Sequence, residues 1–86
     1  ASTAARLARR LADLARVHGR AAPEGTLIAT RATQAQMAEL IGRSRVTVNK
    51  TLGELEASGF IRRVGHRIVV RDLAALERAA IDESGL

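Results

Sequence analysis

The stretch that most constrains this chain is Thr33 to Leu55, TQAQMAELIGRSRVTVNKTLGEL. Thr33 followed by Gln36 is a capping box. The Thr33 hydroxyl accepts a backbone N–H of the first turn while the Gln36 side chain reaches back, so a helix is expected to start there. Met37, Leu40 and Ile41 recur at helical spacing on one expected face, and Ala38 offers a small surface for close approach of a second helix. Gly42 supplies a left-handed turn, and Ser44 is a good N-cap for a new helix. In that second helix Val48, Leu52 and Leu55 share one face, whereas Arg45, Val46, Asn49 and Lys50 lie on the other, near its N-terminal end. Two short helices about one tight glycine turn predict a helix-turn-helix.

Such a motif has a mechanical use. An α-helix fits the major groove of DNA, and the N-terminal part of the second helix reaches the base edges. Arg45, Val46, Asn49 and Lys50 are therefore the expected base readers. Arginine bonds bidentately to guanine, asparagine to adenine, and a valine methyl rests against the thymine methyl. Thr47 and the N–H groups at the helix start suit phosphate oxygens, and Ser44 and Gln34 are expected to join them on the backbone.

Charge and composition agree with an acidic partner. The 86 residues carry 14 Lys and Arg against 9 Asp and Glu, a formal net charge of +5, nearly all of the cations being arginine. Phe60 is the only aromatic residue. Single strands and RNA loops are gripped by stacking bases on aromatics, so duplex DNA is the expected substrate. The chain contains no cysteine, which excludes disulfides, iron–sulfur clusters and thiol catalysis. Two histidines without cysteine do not make a conventional zinc site. The 7 glycines are scattered at turns with no phosphate-cradling Gly-x-x-x-x-Gly-Lys pattern, and no nucleophile–base pair stands out. No catalysis, metal or cofactor is expected. With no long apolar run, a soluble, cytoplasmic domain is expected.

Taken in order, Ala4, Leu7, Ala8, Leu11, Leu14, Ala15 and His18 form the stripe of an amphipathic helix, with Ser2 as its cap and His18 expected to pack. Arg6, Arg9, Arg10, Asp13, Arg16 and Arg20 lie on the opposite face, expected to be solvated surface, with a basic face toward an acidic partner as the alternative. Gly19 to Gly25, containing Pro-Glu-Gly, is expected to be a surface turn, and Thr26 to Thr30 a short strand. The second helix of the motif should continue to about Ser58, with Gly59 as its left-handed cap. Gly53 within it costs roughly 1 kcal/mol relative to alanine. Phe60 to Val70, FIRRVGHRIVV, predicts a hairpin turning at Val64, Gly65 and His66, with Ile61, Ile68 and Val70 inward. Arg62, Arg63, His66 and Arg67 are expected to cluster toward its turn as a basic wing resting on the sugar–phosphate backbone. Asp72 should cap a last short helix with Leu73, Leu76 and Ala80 as its apolar side, before a frayed tail, DESGL. The expected fold is mainly α with a small β-hairpin (α+β): a winged helix-turn-helix with a three-helix core, a wing and a short C-terminal helix. It forms one domain, 1–86, with the helix-turn-helix at 33–58, the wing at 60–70 and the C-terminal helix at 72–82.

The stretch MAELIGRSRVTVNKTLGELEASGFIRRVGHRIVV resembles the C-terminal DNA-binding domain of the cyclic-AMP receptor protein and fumarate–nitrate regulator (Crp/Fnr) superfamily of bacterial transcription factors. Ser44, Arg45, Thr47 and Val48 agree with that family in type and spacing, and the first helix and the Pro-Glu-Gly turn match in order. The resemblance implies that Arg45 reads guanine, that Lys50 takes the place of a second reading or phosphate-binding basic residue, and that Thr33 and Thr47 touch phosphates. One departure matters. The family commonly places Glu directly after the arginine to read cytosine, and here Val46 stands there, so the usual half-site is not implied.

Family members also carry an N-terminal β-roll that binds a cyclic nucleotide or another effector, followed by a dimerisation helix. Neither fits in 86 residues. The chain therefore reads as an output domain without a cofactor of its own, a monomer or weak dimer in isolation, with a homodimer expected in a longer parent protein. The resemblance adds RNA polymerase as a further partner, although the short stretch Pro23 to Gly25 is too weak a match to be a site. The alternative is a winged-helix protein–protein interaction module that does not bind DNA. Such a module should expose an apolar patch, whereas here the expected reading side carries arginines.

Overall fold

The computed structural model describes residues 2–28 and 34–81. The Thr33 cap, the strand end at Ala29 and Thr30, the side chain of Gln34 and the 82–86 tail lie outside the described residues. Among the described residues four helices and four strands follow in order: α1 (Thr3–His18), β1 (Gly19–Ala22), β2 (Gly25–Ile28), α2 (Gln34–Ile41), α3 (Arg45–Ala57), β3 (Ile61–Val64), β4 (Arg67–Val70) and α4 (Leu73–Ala79). The fold is the α+β winged helix-turn-helix that the sequence pattern predicts.

Helix α1 starts where the Ser2 hydroxyl accepts the Ala5 N–H at 3.0 Å, and it is the centre of the packing. Its stripe of Ala5, Leu7, Ala8, Leu11, Ala12 and Ala15 is buried. Against it lie Met37 and Ile41 of α2, Val48, Leu52 and Leu55 of α3, Ile28, Ile61, Ile68 and Val70 of the strands, and Leu76 of α4. The last turn of α1 runs past this core. Val17 is 73 % exposed, and His18 is exposed rather than packed as its place on the stripe suggested.

The sheet is larger than expected. All neighbouring strands are antiparallel in the order β1-β2-β4-β3, so the wing hairpin is continued by a second hairpin. The segment expected to be only a turn contains β1, whose Gly19 to Ala22 pair with Ile28 to Gly25, leaving Pro23 and Glu24 as the turn. Strand β2 then pairs with β4, setting Leu27 opposite Val69 and Ile28 opposite Ile68. A two-stranded ribbon alone is marginal in water, and joining four strands over an apolar helix face removes that weakness.

Within the helix-turn-helix, Gly42 takes φ +70°. This left-handed residue lets the Arg43 N–H reach back to the Ala38 carbonyl at 2.9 Å, closing α2 before α3 begins. Gly59 does the same for α3 at φ +84°, with the Phe60 N–H on the Leu55 carbonyl. Leu40 departs from expectation and is 54 % exposed. At about 100° per residue, Ala38 and Ile41 fall to one side of Met37 while Leu40 falls to the other, and the core lies on the Ala38 side.

Candidate nucleic-acid interface

Helix α3 is built from its cap outward. The Ser44 Oγ accepts the Thr47 backbone N–H at 3.1 Å and donates to the Thr47 hydroxyl at 3.0 Å, which fixes where α3 begins. Val48, Thr51, Leu52 and Leu55 then anchor the helix on the core. Thr51 was not foreseen there; its hydroxyl is satisfied by donating to the Thr47 carbonyl one turn back, at 2.8 Å. This anchoring leaves Arg45, Val46, Asn49 and Lys50 exposed, with Val46 at 79 %. Thr47 is half-buried beside them, next to the exposed Ser44.

The wing places its cations differently from the sequence expectation. Its turn is the pair Gly65 and His66, with Gly65 at φ +61° in the first central position, as a two-residue hairpin of the II′ kind requires. His66 and Arg67 are exposed at this tip. Arg62 and Arg63 alternate across β3 and so point to opposite faces of the sheet. Arg62 sits opposite Val69 on the outer face and donates to Glu24 in the turn between β1 and β2, at 2.6 Å. On that same face Leu27, Val64 and Val69 line a depression of about 230 Å³ rimmed by Glu24 and Arg67.

Arg63 points instead toward α3. Its backbone N–H donates to Glu56 Oε2 at 2.9 Å and its Nε to Oε1 at 3.1 Å. The Nη1 of the same guanidinium donates to Asn49 Oδ1 at 3.0 Å. The structure thus does not gather Arg62, Arg63, His66 and Arg67 into one basic cluster. It commits two of them to carboxylates and leaves the other two at the tip. The backbone N–H and then the guanidinium of Arg63 hold the Glu56 carboxyl below its ordinary range, and hydrogen bonding from Arg62 does the same to Glu24.

Of two cations near the turn, one escaped sequence reasoning and the other was read only as part of the outer face of the first helix. Arg43 is exposed and its Nε donates to the Thr3 hydroxyl at 3.2 Å. The exposed Arg6 guanidinium lies beside Gly42, 4.0 Å from where a side chain there would begin. Only the tertiary fold brings the start of α1 next to the turn, so no local pattern announces it. Arg16, assigned to a solvated face, instead bridges Asp13 on its own helix and Glu77 of α4. Among the described residues no three His, Asp or Glu side chains are grouped to hold a metal ion. No described helix is long and apolar enough to cross a membrane.

Residues 5–79 match the Crp-like helix-turn-helix domain. The chain belongs to this family. A Crp-like domain binds DNA as part of a transcription regulator, and its relatives here are regulators. The chain is 35 % identical over 75 residues to the CRP-like cAMP-activated global transcriptional regulator of Mycobacterium tuberculosis, a match covering 87 % of this chain and 34 % of that protein. It therefore spans about a third of the length of that curated relative. Among solved structures, the CO-dependent transcription factor CooA of Carboxydothermus hydrogenoformans superimposes with a TM-score of 0.84 at 25 % identity, over 92 % of this chain and 37 % of that one. A CRP-family transcriptional regulator of Thermus thermophilus gives 0.82 at 31 % identity, over 93 % and 40 %. The Crp-like fold is thus common to this chain and to part of each of these longer regulators.

Proposed function

We propose that this domain binds duplex DNA sequence-specifically, with α3 in the major groove and the wing tip on the backbone. The observation that carries this reading is the division of α3: one face is locked into the core while Arg45, Val46, Asn49 and Lys50 project together from its N-terminal half. Arg45 reads guanine through its paired donors. Val46 presents only methyl groups, which suit thymine and offer nothing to the cytosine amino group. Lys50 serves a base edge or a phosphate. Thr33, Gln34, Ser44 and Thr47, with His66 and Arg67 of the wing, hold the backbone. Arg62 and Arg63, already engaged by Glu24 and Glu56, contribute less to that grip. The domain carries out this binding without a cofactor. Effector binding, homodimerisation and contact with RNA polymerase are functions of a longer parent protein of the kind the relatives represent.

Fluorescence anisotropy of a labelled random duplex, titrated with the domain at several salt concentrations beside a single strand of equal length, tests the reading. Salt-dependent preference for the duplex is expected. Absence of duplex binding at low salt overturns it.

A further inference from the structure

The fold treats the arginines of this chain unequally. Arg16, Arg62 and Arg63 are each held by a carboxylate. Arg6 and Arg43 are exposed, and among the described residues neither pairs with a carboxylate. Tertiary packing brings these two to one spot. Thr3 and Arg6 are neighbours one turn apart on α1. The Arg43 Nε donates to the Thr3 hydroxyl at 3.2 Å, while the Arg6 guanidinium lies beside Gly42, the residue just before Arg43.

Three features suit this spot to a phosphate. The bond from the Arg43 Nε goes to a neutral hydroxyl, so it steers the side chain without offsetting its charge, and the fork keeps its Nη donors for another acceptor. Gly42 raises no side chain there. Apart from its chain neighbours, the space where one would begin is open but for the Arg6 guanidinium, 4.0 Å away. The spot also adjoins the start of α3, because Arg43 directly precedes the Ser44 cap. That end of α3 is the one placed in the major groove above, and phosphates rim the groove. We propose that Arg6 and Arg43 together bind a backbone phosphate of the duplex that α3 reads, at a site built from α1 and the turn rather than from the wing. The inference rests on the DNA-binding function proposed above. It adds a contact that is indifferent to sequence and that gives α1, otherwise the centre of the core, a part in holding DNA.

Arg6→Gln and Arg43→Gln remove the charges, and Arg6→Lys and Arg43→Lys keep them. Arg78→Gln, at an exposed arginine of α4, controls for the loss of one positive charge elsewhere on the surface. Circular dichroism establishes folding, and fluorescence anisotropy on a random duplex over a range of salt gives the slope of log affinity against log salt. Each glutamine variant is expected to flatten that slope by about 0.9, and the double variant by about 1.8. The lysine variants and Arg78→Gln should hold the wild-type slope. Should Arg43→Gln not fold, Arg6→Gln, which breaks no side-chain hydrogen bond among the described residues, carries the test. A wild-type slope in the glutamine variants overturns the site. Equal flattening by Arg78→Gln overturns it too, since net charge would then be the cause, and so does equal flattening by the lysine variants, where lost structure would be. These outcomes leave DNA binding intact. A wild type that fails to bind the duplex even at low salt overturns both.

Discussion

The Arg62 guanidinium reaches Glu24, 2.6 Å from Nη1 to Oε1, and so ties β3 to the turn between β1 and β2 across the outer face of the sheet. A cation already paired with a carboxylate releases few counterions when DNA approaches. Arg62→Ala should therefore leave the slope of log affinity against log salt almost unchanged. Arg67→Ala, at the tip, should flatten it by about 0.9. Anisotropy titrations of both variants over a range of salt check this; equal flattening would return Arg62 to the backbone contacts.

Arg45 projects from the first turn of α3 with its side chain exposed. Its loss should cost roughly 1–3 kcal/mol on the preferred duplex and little on random DNA. Competition titrations with the two duplexes measure the difference. Equal weakening on both would make Arg45 a phosphate contact.

Ser44 holds the start of α3 through the Thr47 N–H. Ser44→Ala should destabilise the domain by about 1 kcal/mol, as loss of an N-cap does elsewhere. Urea unfolding followed by circular dichroism measures this. Since the first turn of α3 carries Arg45 and Val46, specific binding should weaken more than the stability loss alone explains.

Leu11 and Leu40 look alike in the sequence and differ in the fold. Leu11 is fully buried at the centre of α1, and Leu11→Ala should cost about 2–5 kcal/mol. Leu40 is more than half exposed, and Leu40→Ala should change stability by less than about 0.5 kcal/mol. The same urea titrations compare the two, and a large loss at Leu40 would mean that α2 packs by a different face.

These contrasts mark what the residues alone disclose. The helix-turn-helix was legible because its signals are local: Ser44 caps, Gly42 turns, and Val48, Leu52 and Leu55 repeat at helical spacing. The α4 cap at Asp72, whose carboxylate accepts the Ala75 N–H at 3.0 Å, was legible for the same reason. Strand β1 was not, since Gly-Arg-Ala-Ala has no β-branched or aromatic residue, and its strand conformation comes from pairing with β2. Leu40 misled because residues spaced three and four apart share a face only within a limited arc, and the partner decides which edge of the arc is covered. The wing misled most. Three arginines and a histidine within six residues read as one patch, yet the pleat separates Arg62 from Arg63, and the carboxylates that hold them come from Glu24 and Glu56, 38 and 7 positions away.

Glu56 also gives the domain an acid-sensitive joint between the wing and α3. Its carboxyl is held below the ordinary 4.5, first by the Arg63 backbone N–H and then by the guanidinium. A carboxyl lowered in the folded state stabilises the fold above its unfolded value, and the contribution is lost as pH falls through the folded one. Below about 4.5 the unfolded chain takes up the proton first, so unfolding gains on folding until the folded carboxyl is protonated as well. Glu24, lowered by Arg62, acts in the same direction. The stability difference between wild type and Glu56→Gln should therefore be largest near neutral pH and should shrink as pH falls below about 4.5. Urea titrations of both proteins at about pH 7 and about pH 3 measure it. A difference undiminished at the lower pH would mean that the glutamine variant loses packing rather than charge, and the hold on Arg63 would then not depend on an ionised Glu56.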